Sequence, residues 1–232
     1  MISTRTRSTE PEIMDDMNLK GSELTDALDN IAWINRILGG NRVTINGIEQ
    51  LLRDKNRKEV HIVDLGCGNG DMLRTIKIWA EKLNLNVRLT GIDGNQATIN
   101  HAIKLSDSSI RYSCSDFLQV VPDEPIDIVI CTLTLHHFED ELLLEVLRKY
   151  YEKANIGLVI NDLHRSKQAY YLFTALAIAF RLKCMSRYDG LVSILRGFKK
   201  ADFLRYAMQL NFTKFSICWK WAYRYQWIIY KT

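Results

Sequence analysis

The chain has 232 residues, 47% of them apolar, and a net charge of +4, which allows one sizeable core and is unlike a disordered or fibrous composition. Its five cysteines (Cys67, Cys114, Cys131, Cys184, Cys218) are scattered without CxxC spacing, against a disulfide framework or a zinc site; no other ligand spacing suggests a metal. The longest apolar run, Ala169 to Phe180, is too short for a bilayer span of about 20 residues.

The polar start, MISTRTRSTEPE, has no apolar core, so no secretory signal is read there and a cytoplasmic location is expected. Residues 1–11 read as a disordered tail and 12–55 as a helical lid. "SELTDALDNIAWINRIL" places Leu24, Leu28, Ile31, Ile34 and Leu38 at helical spacing, with Ser22 as N-cap and Gly39-Gly40 as the stop. A second short helix runs from about Thr44 to Arg53, and "RDKNRKE" is a charged linker.

From residue 56 the texture changes. "VHIVDLG", "VRLTGID", "IRYSCSDF", "IDIVICTLTL" and "GLVINDL" are β-rich apolar runs. They alternate with the helical stretches "GDMLRTIKIWAEKL", "NQATINHAIKL" and "EDELLLEVLRKYYEKA". Such alternation implies a parallel sheet with helices on both faces, and near-continuous apolar strands imply burial on both faces. After "NDLHRS" comes a helical insertion at about 165–205. "KQAYYLFTALAIAFRLKCMSRYDG" reads as a long apolar helix and a loop, and "SILRGFKKADFLRYAMQL" as helical. "FTKFSICWKWAYRYQWIIYKT" closes the chain as an aromatic, antiparallel hairpin around "WAYRY".

The charge is uneven. Residues 1–163 carry 18 Lys/Arg against 25 Asp/Glu, a net of −7, and residues 164–232 carry 13 against 2, a net of +11. A basic final third suits nucleic acid, an anionic membrane surface or an acidic substrate, and is also what a plain solvated surface looks like.

In "HIVDLGCGNGD" three glycines, Gly66, Gly68 and Gly70, alternate directly after the first strand. In open α/β sheets ligands bind at the carboxyl ends of strands, and glycine lets a backbone turn tightly and a ligand come close. The spacing is G-x-G-x-G, not the G-x-G-x-x-G of pyrophosphate loops, and Asp64 precedes the first glycine by two positions. A carboxylate there would repel a pyrophosphate but suits a cationic amino group. Asp93, at the end of the second strand, is placed to accept from both ribose hydroxyls. Asp116-Phe117, at the end of the third, offers an acceptor for an adenine amino group and a ring for its face. An adenine, a ribose and a zwitterion without phosphate describe S-adenosyl-L-methionine.

"VDLGCGNG", "LTGIDGN", "YSCSDF" and "DIVICTLTLHHFED", in this order, resemble the successive motifs of class I S-adenosylmethionine-dependent methyltransferases. The resemblance implies an α/β, Rossmann-like fold: a mostly parallel seven-stranded sheet with an antiparallel C-terminal hairpin and helices on both faces. It also implies a cofactor set of Asp64, Gly66, Cys67, Gly68, Gly70, Asp93, Gly94, Asn95, Asp116, Phe117 and Thr132. "EIMDDMNL", "INRILGG", "NDLHRSKQAYYL" and "MSRYDGLVSILRGF" further resemble bacterial small-molecule O-methyltransferases that accompany aromatic polyketide or phenolic-lipid biosynthesis.

Methyl transfer to a phenol needs in-line placement and a base, because a phenol has a pKa of about 10. His136 and His137 follow the fourth strand and His164 the fifth, all at carboxyl ends. His136 and His164 are the expected catalytic pair, with Asp162 orienting a histidine or binding substrate. His137 is assigned to capping or packing the next helix. Tyr188, Asp189, Ser193 and Arg196 form a polar wall of the acceptor pocket or a capped helix with a solvated arginine. The apolar helix "AYYLFTALAIAF" is expected as a lid over a hydrophobic small-molecule acceptor, with peripheral membrane contact left open.

Three further readings stay beside this one. A C-methyltransferase acting on a quinol-type precursor would share the fold. An RNA or protein methyltransferase would use the basic, aromatic C-terminal strands, although the Asn/Asp-Pro-Pro-aromatic motif of base methylation is absent and nucleic acid is disfavoured. A non-catalytic S-adenosylmethionine-binding regulator is the third. Oligomeric state is not readable.

Overall fold

The first strand, β1 (Val60–Leu65), is buried along its whole length because both of its faces are covered. Alternate side chains go opposite ways: Val60 and Ile62 join one apolar cluster with Ile48, Leu73 and Ile76, while Val63 and Leu65 join another with Leu143, Val146 and Tyr150. The structure is a computed structural model and describes residues 2–53, 55, 57–119 and 124–232. Met1, in the expected tail, and Asp54 and Asn56, in the expected linker, lie outside the described residues.

In chain order, α1 (Ser22–Ile37) and α2 (Gly40–Leu52) precede β1, followed by α3 (Asp71–Lys82), β2 (Val87–Asp93), α4 (Gln96–Leu105) and β3 (Ile110–Cys114). Then come β4 (Ile126–Thr132), a 3-10 turn at Leu135–His137, α5 (Asp140–Lys153) and β5 (Ala154–Leu163). The chain continues through α6 (Lys167–Ala179), α7 (Cys184–Arg196) and α8 (Lys200–Gln209) to β6 (Phe215–Lys220) and β7 (Arg224–Tyr230). The seven strands lie in the order β3-β2-β1-β4-β5-β7-β6. β1 to β5 pair in parallel, and β7 is antiparallel to both β5 and β6. This is the architecture expected from the sequence. The order reverses between β1 and β4, so a crevice opens at their carboxyl ends.

Three local expectations give way. α2 starts at Gly40 rather than near Thr44, because its first turn is tied to the sheet: the Asn161 side chain donates to the Gly40 carbonyl at 2.9 Å. "MSRYDG" is helical rather than a loop. Its turn residues are used in tertiary contacts: Asp189 accepts from Ile13 and Met14 amides at 2.7 and 3.1 Å, and a Cβ on Gly190 would sit 2.3 Å from the Phe173 ring. The segment before Glu12, expected to be disordered, is anchored at Arg7 and Ser8. The Arg7 guanidinium donates to the carbonyls of His136 and Phe138 at 3.0 and 2.7 Å and pairs with Asp140 at 2.9 Å. The Ser8 amide donates to the Leu195 carbonyl at 3.0 Å. The first residues therefore form a strap across the carboxyl ends of the sheet.

Candidate active site

β1 ends at Leu65, and the next residues turn back sharply, with amides of Gly66 and Cys67 donating to the Ile92 carbonyl at 2.8 and 3.1 Å. Gly66, Gly68 and Gly70 all have positive φ, at 68°, 52° and 77°. Their reasons differ. A Cβ on Gly66 would lie 2.3 Å from Thr134, and one on Gly70 would lie 2.1 Å from the Tyr112 hydroxyl. On Gly68 the nearest atom would be Leu28 at 3.6 Å. The outer glycines make the loop fit the protein, and the middle one leaves the loop face open to a cavity.

That cavity has a volume of about 740 Å³. Asp64, Gly66, Cys67, Gly68, Asp93, Gly94, Asn95, Phe117 and Thr132 lie on its wall. Asp64 is buried with Oδ1 unpartnered, and burial, reinforced by the charge of Asp93, holds its carboxyl well above the ordinary range. Asp93 is also pushed up by burial, against the amides of Asn95 and Gly68, which donate to it at 3.0 and 3.1 Å. Asn95 caps α4, accepting from Ala97 and Thr98 amides at 2.8 and 3.0 Å, and donates to the Leu19 carbonyl at 2.9 Å. Phe117 presents its ring edge-on to Phe138 at 5.5 Å. The Thr132 hydroxyl lies 3.0 Å from that of Thr44. Gly70 stands behind the wall at the start of α3. Asp116 is exposed, off the wall, and accepts from the Leu118 amide at 2.9 Å, so the expected adenine acceptor is turned into its own loop.

The second half of the cavity lies around the 3-10 turn after β4. His136 is buried, with Nδ1 2.7 Å from Asp162 Oδ1 at the end of β5. Burial alone would raise the Asp162 carboxyl, but the charge and hydrogen bond of His136, with the Leu163 amide, outweigh it and hold it low. An ionised Asp162 keeps the imidazole proton on Nδ1 and turns Nε2 into an acceptor. His136 Nε2 is buried and unpartnered, and His136 lines the cavity.

His164 does not join it. Its amide donates to the Tyr223 carbonyl at 2.9 Å, which continues the β5–β7 pairing and turns the ring among the hairpin aromatics. Its Nδ1 accepts from Trp219 Nε1 at 3.3 Å, and the residue is off the cavity wall. The expected His136–His164 pair is thus a His136–Asp162 pair.

Glu12 was not singled out in the sequence. It is buried, lines the cavity, and sets Oε1 3.5 Å from His136 Nε2, with no hydrogen-bond partner for that oxygen. Its other oxygen accepts from Ser193 at 2.8 Å. Burial pushes its carboxyl up to about 7, against the pull of His137, Ser193 and Arg196. His137, assigned to packing, also lines the cavity, and its Nδ1 lies 2.6 Å from Asp15 Oδ1. Glu12, His136 and His137 bring ligand atoms within 4.8 Å of one another, a grouping with metal-ligand chemistry that no sequence spacing announced. With His137 Nδ1 held by Asp15, Glu12 Oε1 and His136 Nε2 remain the unpartnered atoms.

Of the expected polar wall, Asp189 and Ser193 reach the cavity, whereas Tyr188 and Arg196 do not. All four hold the strap. The Tyr188 hydroxyl donates to Glu10 at 2.8 Å; Arg196 donates to the carbonyls of His136 (3.1 Å), His137 and Glu10 and pairs with Asp15 at 2.5 Å. The local sequence gave no sign of this, since the acidic residues 10–15 meet their cation only through the fold. Much of the remaining wall is apolar, with Leu24, Leu28 and Ile31 of α1 and Leu172, Phe173 and Leu176 of α6.

Comparison with known proteins agrees with this geometry. Residues 62–157 match the family model described as a methyltransferase domain. A ubiquinone biosynthesis O-methyltransferase of Rickettsia akari (strain Hartford) is 29% identical over 132 residues, 54% of this chain and 49% of that protein. The chain thus spans about half the length of the curated relative it matches. Among solved structures, the plantazolicin methyltransferase BpumL in complex with SAH has a TM-score of 0.68 at 16% identity, covering 90% of both chains. Human N-acetylserotonin methyltransferase with SAM has a TM-score of 0.61 at 13% identity, covering 90% of this chain and 56% of that one. The orphaned Asp64 oxygen fits the ammonium of a methionine moiety, and the open loop at Gly68 leaves room for its chain. Motif order, sheet topology and matched domain agree: residues 62–157 resemble a methyltransferase domain, and the chain shares its fold with methyltransferases solved with SAM or SAH.

Proposed function

We propose that the protein transfers a methyl group to a hydroxyl of a hydrophobic small molecule, a phenol or polyketide, with His136 as general base. One observation carries this reading: a buried histidine nitrogen with no partner faces the cofactor cavity, and a buried carboxylate 2.7 Å away fixes its other nitrogen. The curated relative's name, a ubiquinone biosynthesis O-methyltransferase, agrees with a hydroxyl acceptor. The apolar wall of α1 and α6 suits a greasy body.

The bound cofactor supplies a methyl group already activated by a sulfonium. The protein holds the acceptor oxygen in line with that methyl and keeps water out. His136 Nε2 takes the hydroxyl proton as the oxygen–carbon bond forms, and the carbon–sulfur electron pair leaves with sulfur. Asp162 stabilises the imidazolium that results. Such a base contributes about 10²–10⁴-fold.

The test is incubation with methyl-labelled S-adenosylmethionine and a panel of phenols, quinols and alkyl-chain phenolics. Label in an acid-stable methyl ether is expected. Label on ring carbon would replace this reading with C-methylation, and label in RNA or protein alone would overturn it.

A further inference from the structure

Arg224 opens β7 at the end that borders the crevice, paired with Leu163 of β5. It is 3% exposed and lines the cavity, yet neither Nε nor Nη1 has a hydrogen-bond partner. The opposite charge that acts on it is Asp162, whose carboxylate is already engaged by His136 and the Leu163 amide. Burial pushes the guanidinium down to about 10, so it stays cationic at neutral pH. A buried cation without partners is costly, and here the cost is not met by the protein.

The surroundings leave room for a ligand beside the guanidinium, where Asn35 offers an acceptor, suited to an ammonium or hydroxyl next to a carboxylate. Asn35 of α1 is also buried, lines the cavity and leaves Oδ1 unpartnered. A Cβ on Gly40 would lie 1.9 Å from that oxygen and 2.9 Å from the guanidinium carbon of Arg224, so glycine at the α1–α2 turn is what admits both groups. Trp221, Tyr223 and Leu163 complete an apolar collar on the same wall. A planar fork of donors in a water-poor collar recognises a carboxylate better than a point charge does.

We propose that Arg224 forms a carboxylate-binding site at the β7 end of the cavity. Two sources have this chemistry: the methionine carboxylate of the cofactor, and a carboxylate carried by the acceptor. The inference rests on reading the cavity as the cofactor and acceptor chamber, but binding alone tests it.

Calorimetry on the full chain compares wild type, Arg224→Met and Arg224→Lys. The probes are S-adenosylhomocysteine, its counterpart lacking the carboxylate, and hydroxybenzoate against phenol with S-adenosylhomocysteine present. If the cofactor is the source, Arg224→Met weakens S-adenosylhomocysteine by about 10- to 100-fold and leaves the decarboxylated counterpart unchanged. If the acceptor is the source, cofactor affinity is kept, and the preference for hydroxybenzoate over phenol disappears. Arg224→Lys falls between, since it keeps charge without the fork. Removing an unpartnered buried cation is expected to raise the unfolding temperature of the ligand-free chain, so a weakened ligand together with a raised temperature separates this role from misfolding. Unchanged affinity for both carboxylated probes in Arg224→Met would overturn the site. A wild-type chain that binds no S-adenosylhomocysteine would instead count against the cofactor reading, and hydroxybenzoate would still decide Arg224.

Discussion

On the proposed function the cavity has a cofactor half and an acceptor half, and the two are built in opposite ways. The cofactor half comes from short runs at strand ends, Asp64 to Asn69 and Asp93 to Asn95, and the loops are fixed by backbone amides reaching the neighbouring strand. The acceptor half is collected from the strap, the turn after β4, α1, α6, α7 and the start of β7, held by side chains such as Arg7 and Arg196. Polar groups in the cofactor half are largely paired within the loop, as Asp93 is, with Asp64 Oδ1 left over for the ligand. In the acceptor half Glu12, His136 and Arg224 keep buried atoms unpaired. Binding a common cofactor needs a rigid cradle. Handling a proton and an acceptor needs groups left free.

The largest expected effect falls on that free side. His136→Ala should lower kcat for the phenolic acceptor by about 10²–10⁴-fold while cofactor affinity, read by calorimetry, stays within about twofold. Asp162→Asn should lower kcat less, because the base stays in place and only its tautomer is no longer enforced. Loss of cofactor binding in His136→Ala would break the division between the halves.

Glu12 gives a pH signature. Its carboxyl rises from an ordinary 4.5 to about 7 in the folded chain, so between these values the native state holds a proton that the unfolded chain has released. Stability from this group is therefore present below about 4.5 and declines as pH rises towards 7, by up to about 3 kcal/mol. Urea unfolding at pH 5 and pH 8 should show that decline in the wild type and its removal in Glu12→Gln. An equal pH slope in both would mean that Glu12 is ordinarily solvated.

The cofactor half offers the contrasting case. Gly66→Ala puts a Cβ 2.3 Å from Thr134 at a φ of 68°, a left-handed conformation costing roughly 1–2 kcal/mol before the clash. Cofactor binding should weaken at least about tenfold. Gly68→Ala carries the same left-handed strain at a φ of 52° but meets no clash, so it should lose less stability than Gly66→Ala and add a loss that tracks ligand bulk; thermal unfolding without ligand ranks the two variants.

This contrast also explains what could be read from the chain. The sheet was legible because its central strands, β1, β4 and β5, are buried apolar runs, and the glycine loop because its constraints are local: three positive-φ residues within five positions. His136 and Asp162 were legible as carboxyl-end residues of adjacent strands. Glu12 was hidden although it opens both the expected lid and the run "EIMDDMNL", since only the fold brings Ser193, His136 and His137 around it. Asp189 and Gly190 misled for the related reason that turn-forming residues were serving partners on the strap and on α6. Strand formation and the glycine loop depend on near neighbours, whereas the acceptor half depends on where distant segments land.

The smallest expected effect is the sharpest check on the catalytic assignment. His164 sits two residues after Asp162 and, by strand position alone, looks as well placed as His136. Its ring instead accepts from Trp219 among the hairpin aromatics, and burial, with the charges of Lys199 and Arg165, holds its pKa below the ordinary value. A depressed imidazole pKa means protonation is disfavoured in the fold, so the stability linked to it is present above the unfolded pKa and is lost as pH falls through the folded one. His164→Ala should therefore flatten the acid side of the stability profile and loosen the hairpin by about 1 kcal/mol, the scale of a side-chain hydrogen bond. It should leave kcat and its pH dependence within about twofold of wild type. A fall in kcat like that of His136→Ala, with the acid-side pKa of the rate profile displaced, would return His164 to the cavity and undo the assignment of the single base.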